Sequence, residues 1–97
     1  MSRLAIRWTR RALRRLDRVG ADISKDSPAA AERVVARIVS NVAALGDHPA
    51  LGRPGRIIGT RELVFADIPY IVPYRVTPAA VQILTVMHAA QKWPDTL

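Results

Sequence analysis

The chain has 97 residues, 15 lysines and arginines against 8 acids, and a formal charge of +7. That length allows one domain, 1–97, with a single modest core that buries about 60–65% of the unfolded surface. The absence of cysteine excludes a disulfide framework, thiolate metal sites and cysteine nucleophiles, and two histidines, His48 and His88, argue against a zinc site.

The apolar stretch Arg3-Leu4-Ala5-Ile6-Arg7-Trp8 has strand character, with Trp8 assigned to the core. Thr9 can then cap a helix in which Leu13, Leu16, Val19 and Ile23 recur at spacings of three and four. Arg10, Arg11, Arg14, Arg15 and Arg18 occupy much of the remaining circumference. Residues 1–18 hold seven arginines against one acid, Asp17, a local charge of +6. Arginine's planar fork suits carboxylate or phosphate, so an acidic protein and a nucleic acid both fit; a solvated face is the alternative. Ser27-Pro28 restarts the chain as N-cap and first helical residue. Ala31, Val34, Val35, Ile38, Val42 and Leu45 continue the helical period, and Gly46 followed by Pro49 ends it.

The second half changes period. Residues 49–60 form a turn-rich connection with His48 before it. Arg61 to Phe65 alternates, Asp67-Ile68-Pro69 turns, and Tyr70 to Val76 reads as a strand with Tyr70, Val72, Tyr74 and Val76 on one face. Pro73 inside it removes a ladder donor, which predicts a bulge or an unpaired position. Thr77-Pro78 turns the chain into a last strand, Val81 to His88, and Trp93-Pro94 lies in the tail. The order β-α-α-β-β-β implies an α+β fold, with a helical hairpin on one face of a mainly antiparallel sheet. No apolar run approaches the about 18 residues of a membrane span, and the first residues lack a signal-peptide core, so a cytoplasmic protein is expected.

Several segments together carry a family resemblance. They are Pro28-Ala29-Ala30-Ala31, Pro49-Ala50-Leu51-Gly52-Arg53, Gly59-Thr60-Arg61-Glu62-Leu63, Pro69 to Val76, and Ile83 to Pro94. In this order, over roughly residues 3–94, the chain resembles the RelE/ParE family of bacterial type II toxins, and its ParE-like branch in particular. The resemblance implies a small basic toxin held inactive by an acidic antitoxin encoded beside it. It also implies no cofactor, no membrane, and contact with operator DNA only through the antitoxin.

The family divides between two activities. One branch cuts mRNA within the ribosome; the ParE-like branch inhibits DNA gyrase without cutting RNA. Cleavage through the 2′-hydroxyl needs a proton acceptor, a proton donor and cations around the developing phosphorane. The nuclease branch carries an arginine early in the third strand and basic or tyrosyl groups after the last. Here Ile71 stands near the first position, Gln91 and Trp93 stand in the tail, and residues 49–60 hold Arg53 and Arg56 but no lysine. The resulting expectation is gyrase inhibition by binding, with Arg61, Glu62, Arg75, His88, Gln91 and Trp93 bearing toxicity. Arg10, Arg11, Arg14, Arg15 and Arg18 are expected to bind the antitoxin. The runner-up is a ribosome-dependent mRNA endonuclease using Glu62 or His88 as acid/base and Arg75 on the phosphate. A third reading is an arginine-rich nucleic-acid-binding domain. Each site residue also has a structural alternative. Arg61 and Glu62 point to opposite faces unless the strand bulges, and His88 could be a satisfied imidazole. Trp93 could pack the tail or anchor a partner.

Overall fold

Thr9 ends the first strand and begins the first helix. Its backbone is extended, and its Oγ1 accepts the Ala12 N–H at 3.1 Å. The computed structural model describes residues 3–97. Within them, strand Ala5–Trp8 (β1) leads through Thr9 into helix Arg10–Ser24 (α1). Ser27 caps helix Pro28–Ala44 (α2) by accepting the Ala30 N–H, with Pro28 in the first turn. Strands Arg53–Pro54 (β2), Arg61–Val64 (β3), Tyr70–Val76 (β4), Ala80–Ile83 (β5) and Met87–His88 (β6) follow.

The sheet runs β1-β5-β4-β3-β2, with β6 also paired to β4. Only the β1–β5 pair is parallel among the described residues. This is the expected α+β arrangement, a helical hairpin on a mainly antiparallel sheet. Directly opposed residues share a face, so the register sorts the side chains into two layers. Trp8, Ile83 and Tyr74 form one row towards the helices, with Ile6, Val81 and Val76 in another. All of these except the exposed Val76 join Ala12, Leu16, Ile38, Val42 and Leu45 of the helical layer in one core. On the opposite face stand Glu62 beside Pro73, and Val64 beside Ile71 and Met87. Arg7, Gln82 and Arg75 form a further row there.

Four local expectations change. Leu13 is 47% exposed, while Ala12 is fully buried. The apolar stripe of α1 therefore runs through positions 12, 16 and 19, and Leu13 sits about 100° further round the helix. Gly46 is needed for proximity rather than for a left-handed cap, since its own φ is not positive. A Cβ on Gly46 would lie 2.9 Å from the Leu4 carbonyl, and the Leu4 N–H donates to the Gly46 oxygen. The turn-rich connection contains β2, an edge strand where Pro54 is tolerated because, among the described residues, no strand pairs beyond it.

The fourth change concerns the last strand, which splits into β5 and β6. Pro73 accepts the Leu84 N–H at 3.0 Å, so its own ring nitrogen faces the same side and has no proton to return. Thr9 Oγ1 donates to the Ile83 carbonyl at 2.8 Å, with the Leu84 carbonyl also within reach at 3.2 Å. Four steps along β4, from Tyr74 to Tyr70, match five along the opposing chain, from Ile83 to His88. That is the bulge anticipated at Pro73, with the extra residue carried on the strand across from it.

Tyr74 fastens the loop after α2 to the centre of the sheet. Its hydroxyl accepts the Gly52 N–H and donates to the Pro49 carbonyl, both at 2.8 Å. A Cβ at position 52 would come within 2.6 Å of that oxygen, so the loop approaches only with glycine. Tyr74→Phe is expected to leave both loop groups unpaired and lower stability by about 1–3 kcal/mol, read as a lower urea midpoint at unchanged slope. Burial pushes the Tyr74 phenol above its ordinary 10.0, against the Gly52 hydrogen bond and the Arg61 charge, which lower it. The folded chain thus holds a proton that an unfolded tyrosine releases, and stability falls as pH rises through about 10. That fall is expected to be shallower in Tyr74→Phe.

Candidate functional site

The bulge decides where His88 points. In an unbroken strand, residues 83 and 88 would lie on opposite faces; one extra residue reverses that parity. His88 pairs with Tyr70 on the helix side, their rings edge-on with centroids 5.4 Å apart. The His88 Nδ1 accepts the Ala90 N–H at 3.1 Å, which leaves the proton of the neutral ring on Nε2. Gln91 folds back beside it. Its Oε1 accepts both the His88 N–H, at 3.3 Å, and Arg15 Nη2, at 2.8 Å. Arg15 also donates through Nε to the Val86 carbonyl at 3.3 Å. Arg15, Arg18 and Asp22 of α1 thereby face Tyr70, His88 and Gln91 across a cleft of about 240 Å³. Burial and the nearby Asp22 carboxylate both push the Tyr70 phenol above its ordinary value.

On the opposite sheet face, Glu62 is only 1% exposed. Its Oε1 accepts Arg53 Nε and Nη2 at 3.1 and 2.9 Å, and its Oε2 accepts the Arg56 N–H at 2.8 Å. The register makes this possible, because Arg53 of β2 lies directly opposite Glu62 of β3. The Arg56 guanidinium in turn covers the Trp93 ring, 4.1 Å from its centroid. The tail is thus tied through Trp93 and Arg56 to a buried carboxylate. The Trp93 Nε1 is buried without a hydrogen-bond partner.

The residues singled out in the sequence therefore fall into separate places. His88 and Gln91 share the cleft with Arg15 and Arg18, two residues from the arginine set of α1. Arg10, Arg11 and Arg14 remain exposed on that helix. Arg61 is held against the loop, its Nη1 donating to the Gly52 carbonyl at 2.7 Å. Glu62 and Trp93 belong to the opposite face, where Arg75 stands in its row with Gln82 and Arg7. Sequence reading passed over Tyr70 and Asp22 as cleft residues, and Arg53 and Arg56 as partners of Glu62. The pairing of Tyr70 with His88 needed the bulge register, which Pro73 signals only as an interruption. The Arg53–Glu62 pair needed β2, which two residues of sequence cannot announce.

Glu62→Gln is expected to cost about 2–3 kcal/mol, because a buried charge-assisted network loses its anion while its arginines stay in place. The same variant should loosen the tail. The indole N–H signal of Trp93 is then expected to move in an NMR spectrum, while that of Trp8 stays.

Comparison with known proteins places these features in a family. A family model described as "ParE toxin of type II toxin-antitoxin system, parDE" matches residues 6–93. The chain is 67% identical to "Putative toxin Y4kP" of Sinorhizobium fredii over 97 residues, the full length of both. It is 36% identical to "Toxin RelE2" of Caulobacter vibrioides over 84 residues, covering 87% of this chain and 93% of that protein. A solved structure titled "Chromosomal ParDE TA system from P. aeruginosa" superposes with a TM-score of 0.80 at 30% identity, covering 88% of this chain and 95% of that one. With nearly the whole length matched in sequence and in superposed structure, the chain belongs to the RelE/ParE family of type II toxin–antitoxin toxins, in its ParE-like branch.

Proposed function

We propose that this toxin acts in the cytoplasm by binding and inhibiting DNA gyrase, with no chemistry on a substrate, until an acidic cognate antitoxin occupies it. The observation that carries this reading is the dispersal of Glu62, Arg75 and His88, the three groups that the nuclease reading assigns to the reaction. Arg75 and the His88 partner Tyr70 lie five residues apart on β4, about 16 Å along the strand. Arg75 also faces away from the helices, whereas His88 faces them. Glu62 is sealed by two arginines and has no free path to a ribose hydroxyl. One phosphate cannot meet all three. With Arg75 turned away from His88, the cation assigned to the phosphate is missing there, a deficit of about 3–4 kcal/mol in stabilising the transition-state charge.

The target-binding surface under this reading comprises His88 and Gln91 at the cleft, Arg61 at the loop, and Arg75 with the Glu62-anchored Trp93 on the other face. The purified toxin is expected to inhibit supercoiling by gyrase and to leave mRNA on programmed ribosomes intact. A supercoiling assay and toeprinting on one preparation check this. Codon-positioned cuts that vanish in His88→Ala, with supercoiling untouched, would establish the endonuclease reading instead.

The antitoxin is expected to meet the exposed ridge Arg10, Arg11 and Arg14, with Arg18 at its end. Arg15 is already committed to Val86 and Gln91, so the ridge rather than the full arginine set supplies the steering charge. Changing Arg10, Arg11 and Arg14 together to glutamate is expected to slow association about tenfold or more at low salt, with little effect on dissociation. Stopped-flow mixing measures both, and an unchanged on-rate would refute the assignment.

A further inference from the structure

The cleft between α1 and β6 is rich in hydrogen-bond donors and poor in acceptors. Its acceptors are in use: Gln91 Oε1 receives two donors, the Val86 carbonyl receives Arg15, and His88 Nδ1 receives the Ala90 N–H. The Asp22 carboxylate lies 3.4 Å from Arg18 Nε and 3.6 Å from Lys25 Nζ. The donors are not matched in the same way. Two N–H groups converge on one oxygen of Gln91, which fixes its amide and leaves the NH2 group over. Among the described residues, His88 Nε2, the Tyr70 hydroxyl and the terminal nitrogens of Arg18 also lack partners. Such a surplus is the chemical complement of an oxyanion.

Charge and size narrow its class. Arg15 and Arg18 against Asp22 leave the cleft with a single net positive charge. A volume of about 240 Å³ falls below the roughly 300–1,000 Å³ usual for a small-molecule or cofactor site. It accommodates a side-chain head group rather than a nucleotide. A dianion would face Asp22 with one uncompensated charge, whereas a monoanion does not. Beyond the bonds already named, Arg15 keeps Nη1 and Arg18 its terminal nitrogens, and paired guanidinium N–H groups favour a planar group with two equivalent oxygens.

We propose that this cleft is a carboxylate-binding site, taking one aspartate or glutamate side chain of a protein partner between Arg15, Arg18, Tyr70, His88 and Gln91. Assigning the carboxylate to a protein rests on the reading that this toxin works through protein partners; the site itself rests on the cleft alone.

The test is a 15N NMR titration of the full chain at constant ionic strength with N-acetylglutamate amide, N-acetylglutamine amide and inorganic phosphate. The glutamate compound is expected to shift the Gln91 NH2, His88 ring and Arg15 Nε signals saturably, with an affinity on the order of millimolar. The glutamine compound should leave them in place. Arg18→Gln, at a side chain mostly exposed, should weaken binding about tenfold. Arg33→Gln, an equal charge change on the exposed side of α2, should alter it by less than about twofold. Shifts that fail to saturate, or an equal loss in Arg33→Gln, would reduce the effect to diffuse charge and overturn the site. Tighter binding of phosphate than of the glutamate compound would overturn the carboxylate assignment. Should Gln91 and His88 shift with the glutamate compound while the toxin leaves gyrase untouched, the site stands and only the target reading fails.

Discussion

A strand that reaches proline has an acceptor to offer its neighbour on that side but no donor, and the opposing chain cannot continue its ladder unchanged. At Pro73 this happens in the middle of β4, where both neighbours are present. The consequence passes outwards. Leu84 gives its N–H to Pro73 without a return bond, and beside it Thr9 Oγ1 donates to the Ile83 carbonyl at 2.8 Å, with the Leu84 carbonyl at 3.2 Å. Thr9 is also the cap of α1, so one hydroxyl joins the interrupted strand to the start of the helix that covers it. Residues 84–86 leave the ladder for one residue more than the register allows, and Arg15 takes the Val86 carbonyl. When pairing resumes, His88 faces α1. The cleft, its histidine and the inward arginine all follow from one absent proton.

The two faces of the sheet solve different problems. On the helix side, burial is largely apolar, and Tyr74 carries a hydroxyl into it with both bonding directions used. On the other side no helix is available, and the cover is provided by Ile71, Met87 and the tail. Glu62 is placed among them. Burying a lone carboxylate would be prohibitive, but here three nitrogen donors meet its two oxygens, and the two guanidiniums stay half in water. Such a network stabilises less than apolar residues of the same volume could. Its effect is directional: it holds Arg56 flat over Trp93 and so determines where the chain goes after β6.

Most of the fold was legible in local chemistry. Thr9 and Ser27-Pro28 are cap signals whose mechanism is complete within four residues, and both helices start where those signals stand. Strand β4 spans the alternation from Tyr70 to Val76. What resisted reading depends on partners distant in sequence. The burial of Ala12 over Leu13 is decided by how closely α1 approaches the sheet, a distance set by Thr9 and Ile83. Gly46 looks like a helix stop, yet its missing side chain serves Leu4, far away in the chain. Glu62 on a strand signals either a surface charge or a site; only the register with Arg53 makes it a buried anchor. Val81 to His88 reads as one unbroken strand for the same reason, since parity along a strand survives only while its neighbour can pair.

The arginines of α1 show how one sequence pattern divides into two roles. Five of them lie between positions 10 and 18, and by spacing alone they are equivalent. Helical geometry separates them. Arg15 lies one residue before the buried Leu16 and at the margin of the apolar stripe, so its aliphatic stem lies against the core while its fork reaches Val86 and Gln91. Arg18, three residues on, lies further round the helix and is mostly exposed, its Nε 3.4 Å from Asp22 at the edge of the cleft. Arg10, Arg11 and Arg14 have no such neighbour and face solvent, where their charge acts at a distance and is screened by salt. A lysine could serve on that ridge as well as an arginine. At position 15 it could not, because two acceptors at a fixed angle require a rigid fork.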